Sequence, residues 1–166
     1  MNGFARRVLA VSCLVAAMIA TSTTLAEPPK FRLTDPVAGK PATLAPAPGV
    51  THVVFFATWC PECVQELPDL TDLEVRWAER DYRLVLIAVN TRQSTARLAA
   101  FAQSKQPPGR LLFDEHGHSA SSLNVTDLPT HILLGPEGTE LARGSDVADI
   151  RVKLEQRLRS EGPSKR

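Results

Sequence analysis

The run "VTHVVFFA" from Val50 to Ala57 constrains this chain more than any other stretch. It is almost continuously β-branched and aromatic, without the polar alternation of a half-exposed strand, and so predicts a strand buried on both faces of a parallel or mixed sheet. It ends at "TWCPEC", after which the spacing turns helical. From Pro61 to about Arg80, Val64, Leu67, Leu70, Leu73 and Trp77 recur at threes and fours on one face. Pro61 suits a first helical position, whereas Pro68 falls inside the pattern, removes a backbone hydrogen bond and predicts a kink.

The same reading extends along the chain. A turn-rich lead-in holds two short extended pieces, Phe31 to Thr34 and Pro41 to Leu44, which suggest a hairpin. Arg83 to Asn90 is a second buried strand. Ser94 to Lys105 is a helix with Ser94 as its cap, and "RLLFD" is a third extended piece before a short helix. Thr130 to Leu134 and Thr139 to Arg143 flank a glycine and proline turn and form an antiparallel hairpin; Asp146 to Arg159 closes the domain as a helix. The order predicts an α/β fold, a central mixed β-sheet flanked by helices, with a short N-terminal β extension.

The first 26 residues carry Arg6 and Arg7, an apolar run from Val8 to Ala20, and the small-residue pattern Thr24-Leu25-Ala26. This is the layout of a secretory signal peptide, with an uncleaved anchor to the membrane as the alternative. Residues 27–160 then form one domain, and residues 161–166 a short polar tail expected to be flexible. The formal charge of +1 drops to −1 without Arg6 and Arg7, and the basic residues are scattered, so no nucleic-acid partner is expected. With Cys13 in the leader, the mature chain keeps only Cys60 and Cys63.

Those two cysteines sit at the end of the buried strand and one turn into the helix. Unpaired N–H groups at the helix start face Cys60 and stabilise its thiolate, which marks it as the attacking sulfur; Cys63, expected to lie deeper, resolves the mixed disulfide. A zinc site would need about four ligands, and His52, His116, His118 and His131 show no finger-like spacing from the pair. A structural disulfide closing so short a loop would contribute only about 2 kcal/mol. The working dithiol is the stronger reading, without a bound cofactor or metal.

"FFATWCPECVQELP" resembles the active-site stretch of the thioredoxin-like superfamily, in particular the TlpA and ResA type of extracytoplasmic thiol-disulfide oxidoreductases. Trp59, Cys60, Cys63, Glu66 and Pro68 stand at the positions of that pattern. "LPTHILLGPEGTELARG" is similar to the family's cis-proline strand and hairpin, which implies a thioredoxin-like fold with Pro129 in cis facing the dithiol, Leu128 and Thr130 beside it. A backbone so placed could pair with an incoming extended polypeptide.

Two positions depart from the relatives. Thioredoxins proper carry a buried carboxylate where this chain has Val54, and some ResA-like proteins carry a Glu where it has Gln93. Glu62 and Glu66 are the local carboxylates left to accept the Cys63 proton, with a substrate thiolate or water as the alternatives. Glu62 also opposes a thiolate on Cys60, which argues for a reductant, and Pro61 points the same way by family analogy. The resemblance implies a protein disulfide as substrate, an apocytochrome c or a metal-centre assembly factor among the candidates, a membrane thiol-disulfide transducer as electron donor, and a periplasmic location. The alternatives are a disulfide donor to exported proteins and a non-catalytic module that binds a metal or a partner.

Overall fold

The computed structural model describes residues 31–45 and 47–160. The leader and tail readings fall outside the described residues. Among these, no helix is long and apolar enough to cross a membrane. The chain begins with a hairpin, β1 (Arg32–Asp35) and β2 (Lys40–Thr43), followed by the central strand β3 (Val50–Phe56). Helices α1 (Pro61–Gln65) and α2 (Leu67–Trp77) lead to β4 (Tyr82–Val89), then α3 (Thr95–Lys105), β5 (Arg110–Asp114) and α4 (His118–Ser122). The hairpin β6 (Thr130–Leu134) and β7 (Glu140–Gly144) precedes α5 (Val147–Ser160).

One seven-stranded sheet runs β2-β1-β5-β4-β3-β6-β7 among the described residues. The β3, β4 and β5 strands are mutually parallel neighbours, while β6 adds antiparallel to β3, β7 to β6, and β1 to β5. The mixed sheet and the N-terminal β extension are therefore as expected. The continuous apolar run of β3 has its reason here, since a strand between β4 and β6 under helices is buried at every position. The α2 and α5 helices pack together, with Arg76 paired to Glu155 and Arg151 to Asp69 across the contact.

The helix after Cys60 differs from the expected single kinked rod. Pro68 does not bend it: the helix stops at Gln65 and restarts at Leu67, with Glu66 capping both pieces at φ −82° and ψ −10°. Breaking there puts Pro68 in the first turn of α2, where its missing N–H is no loss. Glu66 keeps right-handed helical backbone at the junction, and its side chain is mostly buried. The α2 helix also ends at Trp77, before Arg80.

Candidate active site

Cys60 is the N-cap of α1, with extended backbone at φ −90° and ψ 109°, and Pro61 follows as the first helical residue. The N–H of Cys63 donates to Cys60 Sγ at 3.2 Å, and the two sulfurs form a disulfide with Cα atoms 5.3 Å apart. The α1 helix is only five residues long, so what reaches Cys60 is the local N–H group at its start and not the field of a long helix. Burial does not separate the cysteines, which are 4% and 3% exposed; the expectation that Cys63 lies deeper is corrected to near equality. Their surroundings separate them instead. Cys60 lines a cleft of about 680 Å³ together with Trp59, Pro61, Glu62, Asp127 and Leu128, and Cys63 is not among its lining residues.

Each wall of that cleft is fixed by a specific contact. The Trp59 indole N–H donates to the carbonyl of Thr91 at 2.7 Å, and the Arg92 guanidinium lies over its ring, 4.3 Å from the centroid. Thr58 donates to the Gln93 side-chain carbonyl at 2.9 Å, which ties the loop after β4 to the residue two before Cys60. Glu62 Oε2 is 3.8 Å from Cys60 Sγ. On the opposite wall the Leu128–Pro129 bond is cis, and the Thr130 hydroxyl donates to the Asp127 carbonyl at 2.6 Å. Leu128 therefore faces the same space as Cys60, and Pro129 lines the adjoining groove with Glu62 and Glu66. Pro68 has no part in either; its place is the helix break.

Glu66 is committed in a way that its sequence position did not disclose. Its Oε1 accepts from the Val147 N–H at 3.0 Å, at the start of α5, and its Oε2 meets His131 Nε2 at 2.9 Å. Behind His131, Nδ1 meets His52 Nε2 at 3.0 Å, and His52 Nδ1 meets the Tyr82 hydroxyl at 2.8 Å. Burial, and secondarily His131, hold the His52 pKa well below its ordinary value, while burial and then Glu74 raise that of Tyr82. In the sequence the two histidines stand only as residues without a finger-like spacing from the cysteines. The available signal was His52 itself, a titratable group inside an otherwise buried apolar run. His116 and His118 are exposed around the start of α4. Among the described residues no three or more His, Cys, Asp or Glu side chains gather as a metal-binding group.

Comparison with known proteins places this geometry. Residues 26–139 match the model of the AhpC/TSA family, more than half of the chain. The chain belongs to the AhpC/TSA family. It is 32% identical over 114 residues to the thioredoxin-like protein YneN of Bacillus subtilis, covering 66% of this chain and 64% of that protein. It is also 32% identical over 114 residues to the thiol:disulfide interchange protein CycY of Rhizobium leguminosarum, covering 64% of this chain and 59% of that one. The chain thus spans about three fifths of the length of these curated relatives. The crystal structure of StoA from Bacillus subtilis superposes with a TM-score of 0.64 at 20% identity, over 76% of this chain and 95% of that one. The fold is thioredoxin-like, with a mixed sheet flanked by helices.

Within this AhpC/TSA chain, the two departures noted in the sequence acquire neighbours. Val54 is buried and pairs across the sheet with His131, and the Gln93 side chain is held by Thr58. Neither position brings a carboxylate to the dithiol. Glu62 and Glu66 are the carboxylates nearest the cysteines in sequence, one against the Cys60 sulfur and the other on the buried histidine.

Proposed function

We propose that this protein is an extracytoplasmic thiol-disulfide oxidoreductase that reduces disulfides in other proteins. One observation carries the reading: the Cys60–Cys63 disulfide caps a helix, with Cys60 opening on a cleft whose far wall is Leu128. In the reduced form the Cys60 thiolate attacks a substrate disulfide, forms a mixed disulfide and expels one substrate thiolate. Cys63 then attacks Cys60, closes the internal disulfide and releases the second substrate sulfur. Both electrons stay on sulfur, so the cycle needs no bound cofactor; a membrane thiol-disulfide transducer would return the pair to the dithiol. Trp59 and Leu128 border the attacking sulfur and would contact the substrate chain, and Pro129 and Thr130 fix Leu128 in place.

Charge supports the reducing direction. Glu62 sits against Cys60, so it disfavours the reduced, ionised form and makes the couple a better electron donor. The expected reduction potential is near or below about −220 mV, read by equilibration in dithiothreitol buffers with Trp59 fluorescence as the signal. A value near −120 mV would instead make the protein a disulfide donor. Glu62→Gln should raise the potential, by about 30 mV for each tenfold gain in thiolate stability, and an unchanged potential would remove Glu62 from the account.

A further inference from the structure

Four side chains from four parts of the chain form one hydrogen-bonded line through the interior, and the proposed reaction as stated so far does not use it. Tyr82 begins β4, His52 lies in β3, His131 in β6, and Glu66 at the α1–α2 break. The links are 2.8, 3.0 and 2.9 Å, and both imidazoles are fully buried at 0% exposure. Such a line has two consistent proton arrangements. If the Tyr82 hydroxyl donates to His52 Nδ1, then His52 Nε2–H donates to His131 Nδ1, and His131 Nε2–H donates to the Glu66 carboxylate. If Glu66 takes a proton and donates it to His131 Nε2, each link reverses, and His52 Nδ1–H donates to the Tyr82 oxygen while the phenol turns its own proton elsewhere. The two arrangements differ by one proton, and every ring nitrogen is paired in both.

The Glu66 end of the line is close to the dithiol. Glu66 is three residues after Cys63 and still helical at φ −82°, a spacing that brings Cβ atoms to about 5–6 Å. Across the sheet from His131 is the apolar Val54, which takes no proton. The titratable groups that face His131 are His52 from β3, Glu66 from the helix junction and Asp146 from the entry to α5, with Tyr82 of β4 behind His52; β7 places Gly144 opposite.

We infer that His131, oriented by His52 and Tyr82, is a positioning residue for the resolving step, acting through Glu66 on the proton that Cys63 must lose. This rests on the oxidoreductase reading above. In the step, the Cys63 S–H proton passes to Glu66, the bond between Cys60 and the substrate sulfur breaks, the Cys60–Cys63 bond forms, and the substrate leaves as a thiolate. The proton held on the Glu66–His131 pair then leaves through the groove that Glu66 shares with Glu62 and Pro129. Only the substrate disulfide is reduced and only the dithiol is oxidised.

The test reads the two thiols separately. The full-length chain carrying Cys13→Ser, so that Cys60 and Cys63 are its remaining thiols, is reduced and mixed with one equivalent of 5,5′-dithiobis(2-nitrobenzoate). The first release of nitrothiobenzoate reports attack by Cys60, and the second reports ring closure by Cys63. His131→Gln keeps a donor toward Glu66 but cannot relay a proton. It should slow the second release relative to the first by about tenfold or more at pH 7 and remove the inflection from its pH profile. An unchanged ratio with an unchanged profile overturns the inference and leaves the oxidoreductase reading standing. A parent protein that gives no second release sinks the oxidoreductase reading instead. Should His131→Gln fail to fold, Tyr82→Phe decides: it removes one hydroxyl at the far end of the line and should shift the midpoint of the second-release profile, and an unshifted midpoint overturns the inference.

Discussion

Cys60→Ser abolishes disulfide reduction, with insulin turnover falling by at least about 1,000-fold, while Cys63→Ser stops turnover and leaves substrates covalently attached through Cys60. The two variants lose the same short-loop disulfide, which contributes about 2 kcal/mol on the loop-entropy model, so their stabilities should fall together. Their chemistry should not. Cys60 is the sulfur on the cleft, so its loss removes the attack itself, and a serine hydroxyl at that position is not ionised near neutral pH. Cys63 does not line the cleft, so a chain lacking it still forms the mixed disulfide but has no group to resolve it. The measurement is mass spectrometry of each variant after exposure to reduced and oxidised protein partners. Adducts on Cys60→Ser through Cys63, or none on Cys63→Ser, would reverse or remove the assignment of nucleophile.

How much of this was legible in the sequence depends on whether a residue's role is local. The β3 run, the dithiol at its end and Pro61 are local signals, and the structure has the strand buried throughout with Cys60 as helix cap. Pro68 was visible as a disruption, but a kink and a break differ only in whether the residue before the proline caps two helices, and that is settled by what holds Glu66. Glu66 is held by Val147 and His131, 81 and 65 residues away in sequence. The histidine line was invisible for the same reason, since it requires the β3–β6 register that puts His131 opposite Val54. A one-residue slip of that pairing would send His131 to the other face. The Thr58–Gln93 contact is likewise a product of the β3–β4 pairing and not of either loop's composition.

Acid should weaken the fold through His52. Burial, and then the neighbouring His131, keep its folded-state pKa well below 6.5, whereas the unfolded chain takes up a proton near the ordinary value. Below about pH 6.5 the unfolded state therefore binds a proton that the folded state refuses, and stability falls with pH by up to about 1.4 kcal/mol per unit until the folded-state value is reached. Between pH 7 and pH 5 this amounts to about 2 kcal/mol, a large fraction of the 5–15 kcal/mol typical of a domain. His52→Leu separates this cause from the titration of other groups. It leaves His131 Nδ1 and the Tyr82 hydroxyl without their partner, so it should begin about 1–3 kcal/mol less stable at pH 7.5. It has no imidazole to protonate at position 52, so its decline toward pH 5 should be shallower and the two stability curves should converge. Urea unfolding of both proteins across that range measures the difference directly. Curves that stay parallel would mean that the buried imidazole at position 52 is not what acid attacks.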